Sequence, residues 1–155
     1  MEFENLNDII AFAMEREKEA ASFYREASEK EAFSGAKEML LEFAAQEDKH
    51  YTILENFKNN AIDKSVGEYK FKWIPDIKRS DYVDEVEYTP GMGYRDTLML
   101  AMKREEAALK LYNELLAKAD NDEAKKIFKV LCQEEAKHKL SLETMYDDYM
   151  AEMGD

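Results

Sequence analysis

Cysteine is nearly absent from this 155-residue chain: Cys132 is the only one. A lone thiol excludes a disulfide framework within the chain, and without a CxxC pair no zinc or iron can be held by four thiolates. Glycine (five) and proline (two) are scarce. With 45% hydrophobic and 37% charged residues, that balance belongs to a well-folded helical chain rather than a disordered one. Positive charge is also short, 22 Lys and Arg against 35 Asp and Glu, for a net charge of −13. Such a surface excludes nucleic acid as a natural partner, since phosphate contacts need basic side chains, and argues against anionic membranes. No apolar run approaches the ~18–20 residues of a membrane span. The opening residues, MEFENLND, lack the basic and apolar regions of a signal peptide. The expectation is one domain over 1–155, cytoplasmic, with no nucleic acid and no membrane as partner.

What the chain does contain is helical periodicity. From about 6 to 31, Leu6, Ile9, Ile10, Ala13, Met14, Ala20, Ala21, Tyr24 and Ala27 recur at three- and four-residue steps. A turn at Phe33-Ser34-Gly35 leads to a second helix from about 35 to 60, with Leu40, Phe43, Ala44, Tyr51, Leu54 and Phe57 on one face. From about 63 to 92 the period is lost among Gly67, Pro75, Pro90, Gly91 and Gly93. A stretch of that length is too long for a tight turn and suits a crossover. A third helix is expected over about 94–118, with Leu98, Ala101, Met102, Ala108, Leu109, Tyr112, Leu115 and Leu116 in its stripe. A turn and N-cap follow at Asp120 to Glu123. The fourth, about 122–150, carries Phe128, Leu131, Cys132, Leu142, Met145, Tyr146 and Tyr149. The fold class expected is all-α: a four-helix bundle made of two helix hairpins, about 6–60 and 94–150, joined by a long crossover.

Four glutamates and the chain's only two histidines intrude on these apolar faces. Glu47 and His50 form one Glu-x-x-His, and Glu135 and His138 form another, 88 residues later. The same offset carries Glu17 onto Glu105 and Tyr24 onto Tyr112. Laying 9–57 on 97–145 without a gap gives 15 identities in 49 positions. The pattern reads as a duplicated hairpin. Glu17 lies 17 residues before residue 34, and Glu47 and His50 lie 13 and 16 after it. At ~1.5 Å per residue the three come to nearly one level on antiparallel helices. Facing hairpins would gather four carboxylates and two imidazoles in one core layer. Four ionised carboxylates ~7 Å apart repel by roughly 14 kcal/mol at an effective dielectric of ~20. A domain is stable by only ~5–15 kcal/mol. Such a layer needs protons or cations, and two divalent ions would balance it. Carboxylates with imidazoles and no thiolate favour iron or manganese, with zinc as an opportunistic substitute. Two adjacent metals with open positions suit O₂ or peroxide chemistry.

One Glu from each of two helices and a Glu-x-x-His from each of the other two is the arrangement of ferritin-like di-iron bundles. The chain resembles the rubrerythrin-like branch of that superfamily over its four helices. The resemblance implies a ferritin-like four-helix bundle with two iron ions. Glu47 and Glu135 would bridge them, Glu17 and Glu105 would be terminal ligands, and His50 and His138 would hold one metal each. Tyr24 and Tyr112 look like the tyrosines that hydrogen-bond to ligand carboxylates in that family. The implied function is an oxidoreductase acting on O₂ or hydrogen peroxide, of ferroxidase or peroxidase type, in oxidative stress or iron handling. The alternative is a protein that binds, stores or senses iron or manganese without turnover. Two departures stand out. Rubrerythrins proper carry a further Glu three residues after the third-helix ligand, where this chain has Ala108, and they usually carry a rubredoxin-like four-cysteine domain. Electrons would then come from a separate donor such as a rubredoxin-like protein. The crossover and the acidic surface permit a homodimer without requiring one.

Simpler roles are expected elsewhere. Cys132 reads as a packed small residue, Lys49 and Lys137 as solvated, the nine methionines as core, and Trp73 as packing for the crossover.

Overall fold

Apolar residues spaced at 3.6-residue intervals form a stable helix only where that stripe is covered, so the helices come as packed pairs. The computed structural model describes residues 6–30, 34–59, 64–71, 74–78 and 93–153. It contains α1 (Leu6–Glu29), α2 (Ser34–Lys58), a single helical turn α3 (Lys64–Gly67), α4 (Tyr94–Lys118) and α5 (Asp122–Met153). No strand occurs among the described residues. The chain divides into two compact units, Met1–Tyr69 and Lys70–Asp155.

In the first unit α1 packs against α2. Ile10, Ala13, Met14, Ala21, Tyr24 and Ala27 are buried on α1, and Leu40, Phe43, Ala44 and Leu54 on α2, as the periodicity predicts. The rings of Tyr24 and Phe43 meet edge to face at 5.4 Å. Arg25 reaches across to pair with Asp48 at the surface. The turn expected at Phe33-Ser34-Gly35 is partly helix: α2 already includes Ser34 and Gly35. Phe33 lies outside the described residues, as do Asn5 and Trp73.

In the second unit α4 packs against α5. Pairs that step along one helix as they step back along the other show the antiparallel hairpin: Tyr94 with Tyr149 (ring centroids 5.2 Å), then Asn113 with Cys132 (3.5 Å). The Asn121 side-chain oxygen accepts a hydrogen bond from the Ala124 backbone N–H at 2.8 Å, satisfying a donor at the start of α5. This is the cap expected between Asp120 and Glu123. The helix ends at Met153, three residues beyond the expected boundary. The described part of the crossover, 69–71 and 74–78, has no regular structure. No helix among the described residues is long and apolar enough to cross a membrane.

Candidate metal centre

Each hairpin places its intruding residues on the face that packs. Glu17 sits one turn beyond Ala13 on α1, and Glu47 and His50 stand one turn apart on α2, so the packing of Ala13, Ala21, Ala44 and Leu54 buries all three. On the second hairpin Glu105, Glu135 and His138 are buried among Ala101, Met102, Leu131 and Leu142 in the same way. None of the six exceeds 3% exposure. Buried glutamates are rare unless they are paired or coordinated.

Within the first unit, His50 Nδ1 lies 3.5 Å from Glu17 Oε2 and 3.7 Å from Glu47 Oε1. Ligand-type atoms of Glu17, Glu47 and His50 all fall within 4.8 Å of one another. Within the second, His138 Nδ1 lies 3.6 Å from Glu105 Oε1, and atoms of Glu105, Glu135 and His138 also fall within 4.8 Å. Two atoms each about 2.1 Å from a shared ion stand roughly 3–3.5 Å apart. Each triad therefore fits the donor spacing of a metal ion without large rearrangement. The donors are hard oxygens and imidazole nitrogens, the set suited to iron or manganese.

Other residues singled out in the sequence fall into place. Tyr24 and Tyr112 are almost fully buried at equivalent points of the two hairpins. Cys132 is buried one turn before Glu135, and its Sγ lies 3.5 Å from Asn113 Oδ1. Burial, reinforced by the nearby Glu135 carboxylate, pushes its thiol up to about 12. It is therefore protonated and inert at neutral pH, a packed residue as expected. Lys49 is exposed, and Lys137 pairs with Glu134 at 3.0 Å. Ala108 is half-buried.

One cluster has no counterpart among the expected roles. Lys139, next to His138, is buried, and its Nζ bonds to Glu143 Oε1 at 3.1 Å and Asp76 Oδ1 at 2.7 Å. Desolvation alone would lower the lysine, but the bonds to Asp76 and Glu143 outweigh it and hold the ammonium above its usual value. The same bond from Lys139 keeps the Asp76 carboxyl below the ordinary aspartate range. The signal available in the sequence was the i,i+4 spacing of Lys139 and Glu143 on the inner side of α5.

Comparison with known proteins agrees with this geometry. The family model described as Rubrerythrin matches residues 2–58 and 66–152. A candidate ferritin-like diiron-carboxylate protein from Thermotoga maritima superposes with a TM-score of 0.73 at 23% identity, covering 96% of this chain and 99% of that one. A hypothetical protein from Pyrococcus furiosus superposes with a TM-score of 0.69 at 21% identity, covering 93% and 89%. These likenesses establish a ferritin-like fold. No curated protein matches the sequence significantly.

Proposed function

The chain belongs to the rubrerythrin family, and on that premise we propose that it is a two-iron carboxylate oxidoreductase acting on O₂ or hydrogen peroxide. The observation that carries this reading is the pair of buried Glu, Glu, His triads, one in each hairpin. In this reading the two triads serve one centre. By the family resemblance, Glu47 and Glu135 would be the ligands shared by the two ions, Glu17 and Glu105 the terminal ones, and His50 and His138 would each hold one ion. Iron is the preferred metal, with manganese an acceptable occupant and zinc an opportunistic one. When bound, an iron pair supplies the two electrons that reduce hydrogen peroxide, with two protons, to two waters, and a separate donor such as a rubredoxin-like protein restores them.

The chain's own residues set the conditions for that chemistry. Burial of all six ligands excludes bulk water and strengthens the electrostatic hold of carboxylate on cation. Tyr24 and Tyr112, buried at matching positions, would orient the ligand carboxylates through their hydroxyls.

A second reading has a specific observation in its favour. Ala108 stands where rubrerythrins proper have a further glutamate, and the single cysteine cannot build an electron-donating domain in this chain. Metal binding, storage or sensing without turnover fits both. The two readings part in one experiment. Metal-free protein loaded anaerobically with ferrous iron is mixed with O₂ or peroxide while iron oxidation is followed. The enzyme reading predicts oxidation much faster than that of free ferrous iron, repeated when a donor is supplied. A rate no faster than free iron rejects turnover. Sizing then separates storage from the rest, since a caged store requires a very large assembly.

A further inference from the structure

The two hairpins repeat their ligand residues but not what stands beside them. The 88-residue offset puts Tyr51 where Lys139 stands and Glu55 where Glu143 stands. Tyr51 is half-buried and Glu55 exposed, whereas Lys139 and Glu143 are both buried. The second hairpin alone carries a buried cation next to its histidine, bonded to a carboxylate of its own helix and to Asp76 of the crossover segment.

That segment is fastened to α5 at two places. The Phe71 ring lies under the ammonium groups of Lys126 and Lys129, at 4.9 and 4.5 Å from its centroid. Asp76 takes the bond from Lys139, and the same Oδ1 accepts the Lys78 backbone N–H at 2.9 Å, where Lys78 adopts a positive φ of 56°. Lys129 and Lys139 are ten residues apart, about 15 Å along the helix, and Glu135 and His138 lie between them. The stretch of α5 that carries this ligand pair is thus held at both ends. Fixing a ligand before its ion arrives removes the ordering cost from the binding step. Groups bonded directly to a ligand are worth roughly 10–100-fold in metal affinity, and Lys139 acts through the helix that carries the ligands, so the lower end of that range is expected. Lys139, Asp76 and Glu143 together carry one net negative charge, so the buried ammonium does not turn the neighbourhood against a cation.

We propose that Lys139, fastened to Asp76 and Glu143, is a positioning residue for Glu135 and His138, and that it makes the two metal positions unequal, with the second hairpin's taking the first equivalent more tightly. This rests on the two-metal reading above.

Cobalt(II) titrated anaerobically into the metal-free full chain, followed by visible absorption, reads the two steps. The expected result is a first step at least about tenfold tighter than the second. His50→Ala keeps the tight step and His138→Ala loses it. Asp76→Asn, at a half-exposed side chain outside the helices, weakens the tight step about tenfold, leaves the weaker one unchanged, and is partly rescued by Asp76→Glu. A lysine that only stabilises the fold would lower the melting temperature of Asp76→Asn without changing the spacing between the steps. Two steps of equal affinity, or an unchanged spacing in Asp76→Asn, overturn the inference while leaving a two-metal centre intact. No cobalt binding at all overturns the two-metal reading and the inference with it.

Discussion

The α1–α2 hairpin and the α4–α5 hairpin carry the same buried Glu, Glu, His triad at the same spacing, yet they are fastened differently. The first is tied across its outer face by Arg25 and Asp48, both half-exposed. The second has Asn113 and Ala136 at those positions. Across its two helices Asn113 meets Cys132 instead, while Lys139 bonds to Glu143 within α5 and to Asp76 of the crossover. The glutamates and histidines keep their register because an ion would need all of them at fixed distances. The inter-helix ties do not, because many contacts can hold two helices together.

Substitutions at equivalent positions test how far the two hairpins are alike. The largest effect is expected at the ligands. Glu47→Ala and Glu135→Ala should each lose most of the bound metal by elemental analysis, and to a similar extent if the halves serve one centre. Full occupancy in either removes that residue from the ligand set. Next is Lys139→Ala, which leaves Glu143 buried without its lysine and should cost ~3–5 kcal/mol of stability in denaturant unfolding. Tyr51→Ala, its half-buried counterpart, should cost about 1 kcal/mol. Equal losses would mean that the inner tie contributes nothing special to the second hairpin.

Leu54 and Leu142 are equivalent under the offset, and neither is exposed to solvent. Leu54→Ala and Leu142→Ala should each cost about 3 kcal/mol and agree to within about 1 kcal/mol. A wide disagreement would show that the two hairpins do not share a core design. The smallest effect belongs to Arg25→Ala, which removes a surface ion pair and should change the unfolding free energy by less than about 1 kcal/mol.

The parts legible in the sequence are those governed by period and offset. The α4 boundaries follow from the apolar stripe and coincide with Tyr94–Lys118. The antiparallel levels of Glu17, Glu47 and His50 follow from counting residues to the turn, and the structure places them within 4.8 Å. What is not legible depends on the crossover. Its path is not set by any repeating pattern, so neither the turn Lys64–Gly67 nor the meeting of Asp76 with Lys139 could be read from spacing. Lys139 falls on the inner side of α5 by spacing alone, but its partner 63 residues away does not follow from any period. The start of α2 follows from the same apolar pattern as α4: it is expected near residue 35 and falls at Ser34.

The most direct test of the central claim is the number of ferrous ions that the metal-free chain binds under anaerobic conditions, measured by elemental analysis after removal of free metal. Two buried triads serving one centre predict two ions per chain, with both lost when Glu47 or Glu135 is replaced. One ion or none per chain would contradict it.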